Sequence, residues 1–562
     1  MSDRARAALL FGISLLIYAN TLVSGFVYDD EMYVRRNIAV THPTLTLMFK
    51  VDKYANVFRP VTFATLAMNW IAGHDRPFGF HLVNILLNAA VPLLLYFLLL
   101  AILDSVPRGR TIAFVAALLY AVHPIHTEAV AWISGRSELL AAGFLLAAWL
   151  LHLKDRPIPA LLCFLLAMMS KESAIAFVPL ALLGDYARGK LKPASRYAWL
   201  AGMGVLYLAL LWNAQGGRFG EKGFSPIDNP LASFPAKWRI LNALRIAWGY
   251  IGLHVYPAKL SCDYSYNAIL LYANWKRMLP AALATLLVLA LWIWVLRQRS
   301  CGWTLAGALY LAPFAVTSNI LVSTGTLMGE RLAYLPSAGF CLLVALAWIE
   351  LEQRRVILAR GLLIAVLVAL ATRTVVRNRD WRSDWTLFSA AVRAYPENAK
   401  MRANLGGLYL QRGQLDEAEV ELNKALQIFP DFPEALELKG LVEARKNQDQ
   451  EALELFIKAL SKTRRDYIHH YVMVVNLAAQ LIKLGRNEDA LEMLNETIEQ
   501  APEISRAWSN RAAIRYQQGE VASARSDAET ALRLDASNNQ AQALLNNLNA
   551  NLNAPLGSPS TP

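Results

Sequence analysis

Eleven apolar stretches occupy the first 372 residues: 7–24, 82–103, 111–122, 138–152, 158–170, 174–187, 197–213, 279–296, 303–322, 332–349 and 356–372. A chain that places such stretches in lipid has few options. Hydrocarbon offers no water to the peptide groups, so each crossing segment must satisfy its own backbone as a helix. The expected fold is therefore all-α, a polytopic helical bundle of about 11 spans. Segment 238–257 is ambiguous, because Arg239, Arg245 and His254 interrupt it. Charges of that kind are costly in hydrocarbon, so it is read as a re-entrant or interfacial helix. Arg4 and Arg6 precede the first stretch, which is read as an uncleaved span because more spans follow.

Charge is distributed unevenly. Before Arg373 there are 32 Lys/Arg against 18 Asp/Glu, and from Arg373 onward 23 against 25. A basic excess in the apolar part reads as loop charge that sets membrane orientation, and nucleic-acid binding is excluded as the main role. With the N-terminus inside, Arg108/Arg110, Lys154/Arg156, Arg188/Lys190/Lys192/Arg196, Arg297/Arg299 and Arg354/Arg355/Arg360 fall on the cytoplasmic side, provided 238–257 does not cross. Arg373, Arg377 and Arg379 oppose this orientation, since they would flank the last span on the outer side. The four cysteines are scattered and make neither a disulfide framework nor a metal-site spacing.

After Asp380 a period appears. Gly406, Gly440, Ala478 and Ala512 recur at intervals of 34, 38 and 34 residues, and Ala418, Ala452, Ala490 and Ala524 repeat them. So do Ala425, Ala459, Thr497 and Ala531. Small residues at such a period let paired helices approach closely, which is the tetratricopeptide pattern and predicts a superhelix with a concave groove. The expected organisation is a membrane domain over 1–372, a connector with a partial repeat over 373–396, repeats over 397–549 and a disordered tail over 550–562.

In this topology the polar clusters of the membrane half all fall in loops on the outer side. Asp29, Asp30 and Glu31 follow the first span. Arg59, His81 and Asn84 come next, then His123, His126, Glu128 and Arg136, then Lys171 and Glu172, and finally Glu330 and Arg331. Singly each has a bland reading. A buried histidine at a helix end is more often a hydrogen-bonded cap than a ligand, an arginine at a span end snorkels, and Lys171–Glu172 is expected to be paired internally. Together they gather acids, imidazoles and cations on one face. A carboxylate can take the proton of an acceptor hydroxyl, and Arg can hold a phosphate in bidentate fashion. His123, His126 and Glu128 could ligate a divalent metal, although no cofactor is required by the pattern.

These residues lie in recognisable stretches: Phe26-Val27-Tyr28-Asp29-Asp30, Phe58-Arg59-Pro60, Phe80-His81-Leu82-Val83-Asn84, His123-Pro124-Ile125-His126-Thr127-Glu128-Ala129-Val130, Gly135-Arg136, Ser170-Lys171-Glu172 and Glu330-Arg331-Leu332-Ala333-Tyr334-Leu335-Pro336. In order and in the trailing repeats, the chain resembles the eukaryotic transmembrane and tetratricopeptide-repeat O-mannosyltransferases that target cadherins, together with their bacterial relatives. The resemblance implies a GT-C fold with its active site on the non-cytoplasmic face. It implies inverting transfer from a polyprenyl-phosphate-linked sugar, mannose in the eukaryotic members, to a protein acceptor. The acidic residue of the first outer loop maps to Asp29 or Asp30. Only about four repeats follow instead of a long array, which points to a bacterial member in the inner membrane with periplasmic repeats. The competing readings are a non-enzymatic membrane-anchored repeat scaffold and a polymerase or ligase of lipid-linked glycans. A transporter ranks last, as no inverted pair of broken helices is evident.

Overall fold

The computed structural model describes residues 1–51, 57–216, 225–321, 323–464 and 468–553. Among the described residues the chain is helical without strands, and it divides into two units, 1–398 and 399–562.

The first unit holds α1 (Asp3–Tyr18), α2 (Pro60–Gly73), α3 (Pro77–Ile102), α4 (Gly109–Val122), α5 (Arg136–Leu153), α6 (Pro157–Ser170) and α7 (Phe177–Ala187). It continues with α8 (Ala194–Ala214), α9 (Ala236–Val255), α10 (Trp275–Arg297), α11 (Cys301–Thr317), α12 (Ser337–Arg354), α13 (Val356–Asn378) and α14 (Asp384–Ala394). Each of the eleven apolar stretches has most of its length on one of these helices. Among the described residues six helical segments are long and apolar enough to cross a membrane, or seven if α4 and the short helix after it, bent by 52°, count as one. α6 and α11 are apolar but shorter.

Local chemistry explains where the helices begin and end. Pro60, Pro77 and Pro157 stand in the first turns of α2, α3 and α6, where a missing N–H costs nothing. α12 starts at Ser337 rather than 332, because Glu330–Ala333 forms a separate 3-10 turn before Pro336. α2 has no counterpart among the expected spans. It lies in the stretch read as the first outer loop, and its 14 residues are too few to span hydrocarbon. Close packing is set by small residues. A Cβ on Gly339 would lie 2.4 Å from the Tyr310 nitrogen, so α11 and α12 can meet only at a glycine.

Two sets of bonds define the ends of the bundle. At one end Asp3 accepts from Tyr96 at 2.8 Å and pairs with Arg110 at 3.7 Å, Glu352 pairs with Arg108 and Arg360, and Asp155 pairs with Lys192. At the other, Asn378 donates to the Ile17 carbonyl at 2.9 Å, Thr374 to Val122 at 2.8 Å and Thr62 to Ser170 at 3.0 Å. The first end carries the basic loops, the second the acids and imidazoles. Both flanks of α9 are tied to the second end. Asn229 donates to Asn319 before it, and after it Arg373 donates to the carbonyls of Pro257 and Ala258, both at 3.1 Å. α9 is thus one unbroken helix of 20 residues with both flanks bonded at this end. The same bonds account for the contrary cluster at the end of α13: Arg373 holds the chain after α9, and buried Arg377 pairs with Asp380 at 2.9 Å.

The second unit is four antiparallel helix pairs and a last helix: α15 (Ala399–Gln411), α16 (Leu415–Ile428), α17 (Pro433–Arg445), α18 (Asp449–Lys462), α19 (Ile468–Lys483), α20 (Asn487–Gln500), α21 (Ser505–Gln517), α22 (Val521–Leu534) and α23 (Asn539–Asn553). The periodic small residues are the contact points. Ala418, Ala452, Ala490 and Ala524 are fully buried. A Cβ on Gly406 would lie 2.8 Å from the Leu422 side chain, and one on Gly440 would lie 2.8 Å from the Phe456 ring. Ile457, Leu460, Tyr471, Val474 and Met493 line a cleft of about 540 Å³. The last helix reaches four residues into the expected tail, and residues 554–562 lie outside the described ones.

The packing yields a test. Gly440→Val gains only a few tenths of a kcal/mol of helix propensity but forces a branched side chain into the Phe456 ring, an overpacking cost of about 1–3 kcal/mol. Hydrogen exchange in α17 and α18 of the intact protein should accelerate accordingly. Unchanged protection there would refute the packing argument.

Candidate active site

The first outer loop is held in an uncommon shape. Tyr28 has φ 57°, in the left-handed region that costs a bulky residue energy. Its N–H donates to Asp384 Oδ1 at 2.7 Å, and its hydroxyl donates to Asp263 Oδ2 at 3.3 Å. Next to it, Gly25 N donates to the Arg382 carbonyl at 3.1 Å. The start of α14 and the stretch before it thus clamp the residues that precede Asp29.

Asp29 and Asp30 differ sharply. Asp30 is fully buried and accepts from Val27 N at 3.1 Å, from Ser134 N at 2.9 Å and from the Ser134 hydroxyl at 2.6 Å. Both of its oxygens are spent on the protein. Burial pushes its carboxyl up to about 7, against the pull of these donors. Asp29 is half-buried, and its carbonyl accepts from Met32 and Tyr33. Glu31 points outward, paired with Arg35 and Arg36, both at 2.9 Å.

Three ion pairs between separate elements stand around this loop. Arg59 grips Glu172 with two nitrogens, at 2.9 and 3.3 Å. Buried Lys171 pairs with Glu138 on α5. Arg331 pairs with buried Glu128, which also accepts its backbone N–H at 2.9 Å. The expected internal pairing of Lys171 with Glu172 is therefore replaced by two separate partners, because the turn after α6 sends consecutive side chains to different neighbours. Burial pushes the Lys171 ammonium below its ordinary value, with Glu138 opposing, and Lys171 also feels the charges of Arg59, Glu172 and Arg331. Trp132 joins the acids to the cations. The Arg331 guanidinium lies 5.2 Å from its ring, the Tyr28 ring lies 6.1 Å away, and Ser134 two residues on holds Asp30.

Other candidate residues form the frame. Arg136 is fully buried and donates to Asn84 at 2.8 Å, Asn69 at 2.6 Å, Thr65 O at 3.0 Å and Phe80 O at 2.9 Å. Asn84 donates in turn to the carbonyls of Trp132 and Ile133 at 3.1 and 3.2 Å. His81 reaches the Gly25 carbonyl at 3.4 Å. His123 accepts from Ile125 N at 3.2 Å through Nδ1 and meets the His254 carbonyl at 3.0 Å through Nε2. His126 Nε2 meets the Ser337 hydroxyl at 2.6 Å, with its ring 4.3 Å from Tyr120. Glu330 is buried, accepts from Tyr264 at 2.8 Å and lies 3.7 Å from Arg377. Burial pushes its carboxyl above its ordinary value, with Arg377 opposing.

The divalent-metal reading finds no donor set here. Both His123 ring nitrogens are engaged, His126 Nε2 is bonded to Ser337, and the Glu128 oxygens hold Arg331. Among the described residues no three His, Cys, Asp or Glu side chains gather as metal ligands. Trp132, Ser134, Glu138, Asp263 and Asp384 complete the arrangement without having been singled out from sequence, and Tyr28 entered only as part of its motif stretch. Of these, Glu138, Asp263 and Asp384 carry a charge; Glu138 lies two residues beyond the Gly135-Arg136 stretch, and the other two lie far from every motif stretch.

A pH test follows for Asp30. Its folded value lies above its ordinary 3.8, so the native state binds this proton more tightly than the unfolded chain. Its contribution to stability is present at low pH and lost as pH rises towards about 7. The difference in unfolding midpoint between the parent and Asp30→Asn should drift over that window. A difference that stays constant would mean that Asp30 does not titrate there.

The tetratricopeptide repeat family matches residues 386–442 and again 476–541. The chain is 30% identical over 442 residues to Protein O-mannosyl-transferase F38B6.6 of Caenorhabditis elegans, a match covering 75% of this chain and 63% of that protein. It is 28% identical over 594 residues to Protein O-mannosyl-transferase TMTC3 of Mus musculus, covering 94% of this chain and 64% of the relative. A match to Protein O-mannosyl-transferase Tmtc1 of Drosophila melanogaster is 28% identical over 552 residues and covers 77% and 62%. The chain thus spans less than two thirds of the length of these relatives, all of them animal proteins. It is a multi-pass membrane protein with tetratricopeptide repeats, homologous to the TMTC-type protein O-mannosyl-transferases.

Proposed function

We propose that this chain is a membrane glycosyltransferase that moves a sugar, mannose by analogy with its relatives' names, from a polyprenyl-phosphate donor to a hydroxyl on a protein. The observation that carries the reading is the meeting at Trp132: the ring of Tyr28, next to Asp29, and the Arg331 guanidinium both lie against it. Acids beside cations at one end of a lipid-facing bundle suit a reaction that deprotonates an acceptor and leaves a phosphate behind.

The step is a single displacement. The acceptor oxygen forms a bond to the sugar's anomeric carbon as the bond from that carbon to the phosphate oxygen breaks. The acceptor proton passes to a carboxylate, and the electron pair leaves with the polyprenyl phosphate. Half-buried Asp29 is within reach of an acceptor and is assigned as the base, whereas Asp30 is fully buried and accepts three hydrogen bonds from Val27 and Ser134. Asp30 then holds the loop against the turn after Trp132. Arg59 spends two of its five guanidinium donors on Glu172, and those that remain, with Arg331 and Lys171, offset the charge of the leaving phosphate. His81, Asn84, His123, His126, Glu128, Arg136, Glu172 and Glu330 shape the walls. The repeats present the protein acceptor. The outer end is the non-cytoplasmic face, the periplasm if the chain sits in a bacterial inner membrane. A bare scaffold would need no such gathering of acids and cations.

The test is transfer by the reconstituted full chain from a polyprenyl-phosphate mannose to a serine- and threonine-containing peptide. Asp29→Asn should lower the rate by about 10²–10⁴-fold, the usual worth of a positioned base. Asp30→Asn should cost less. If both variants transfer at the parental rate, the assignment fails.

A further inference from the structure

On the same end, away from the acids, α9 and the head of α10 build a second cationic surface. The Arg245 guanidinium lies 5.0 Å from the Tyr272 ring centroid and that of Arg277 lies 4.2 Å from it. Two like charges thus share one aromatic ring. Exposed Lys237 stands 5.1 Å from the Trp238 ring, and Lys276 is also exposed. Among the described residues none of these four cations has a carboxylate partner within ion-pair distance, and Arg245 Nε is buried without a hydrogen-bond partner. The ring they share is fixed, since Asn242 on α9 bonds both the N–H and the carbonyl of Tyr272, at 3.0 and 2.8 Å.

The surroundings narrow the ligand. Trp238 and Trp275 lie 5.1 Å apart, an interfacial aromatic pair. Below them α10 is long and apolar enough to cross a membrane, with none of that window buried against the protein. Leu279, Leu283 and Leu286 are 51, 56 and 63% exposed. Cations above an aromatic belt above bare leucines match a molecule with an anionic head and acyl tails. A free anion would use only the cations, and an uncharged lipid only the leucines. We infer that the α9–α10 elbow is a binding site for an anionic phospholipid, whose headgroup phosphate sits between Arg245, Arg277, Lys276 and Lys237. The inference does not rest on the transfer reaction, as none of these residues is assigned to it.

The probe is phosphatidylglycerol against phosphatidylcholine, counted by native mass spectrometry on the intact protein released from mixed nanodiscs. The parent should retain phosphatidylglycerol preferentially. Arg245→Gln/Arg277→Gln should lose that retention by roughly fivefold per charge removed, and Arg245→Lys/Arg277→Lys should keep most of it. Lys237→Gln/Lys276→Gln changes only exposed side chains, so it carries the same test if the arginine variant does not fold. Equal retention of the two lipids, or unchanged retention in the glutamine variants, would overturn the inference. So would displacement of the lipid by inorganic phosphate alone, or by a polyprenyl phosphate at matched concentration, which would make the elbow a free-anion or donor site.

Discussion

A peptide group in hydrocarbon has to find its partner inside its own helix. That rule sorts every other feature of the first unit. Apolar side chains go into the bundle or into lipid, and whatever is polar is driven to the two ends. At one end this produces a belt of Arg and Lys anchored by Asp3, Asp155 and Glu352. At the other it compresses acids, imidazoles and cations from six separate connections into one neighbourhood. Convergence of the candidate residues is thus a consequence of the solvent as much as of specific recognition.

The cost of that compression is met by pairing. An isolated buried charge is prohibitive, and a buried ion pair barely recovers its desolvation. Here three cations near the first loop each have a carboxylate on another element: Arg59 with Glu172, Lys171 with Glu138 and Arg331 with Glu128. Three cations and three carboxylates make a group with no net charge, tolerable at the edge of hydrocarbon. The same pairings fix the turns that carry them, because each bond joins segments far apart in sequence. In the proposed reaction the acids would also keep the cations from binding phosphate too tightly to release it.

Much of this was legible in the chain. Hydropathy located the helices, since the period and length of an apolar run depend only on local sequence. The repeat unit was readable because Gly406 and Gly440, or Ala418 and Ala452, recur at the helix-pair spacing and are the points of closest approach. Motif residues such as Asp30 and Arg331 were visible as charges where charge is costly. Partnership was not. Nothing in the sequence tells that Lys171 turns to Glu138 while its neighbour turns to Arg59, nor that Arg136 is a strut tying α5 to α2 and α3. α2 was hidden for a related reason, being too short to announce itself as a span and too apolar to look like a loop helix.

The bond from Tyr28 to Asp384 joins residues 356 positions apart. Synthesis proceeds from one to the other at about 5–20 residues per second, so the earlier residue waits roughly 20–70 s for its partner. During that interval the first span precedes its partner, and the bond from Asp384 is not yet there to hold the tyrosine backbone in its left-handed turn. The nascent protein cannot complete its acidic corner until the entire bundle has emerged and the helix beyond it has folded back. Maturation is timed by the ribosome, and a chain that terminates early is left with an unassembled corner instead of a half-working one.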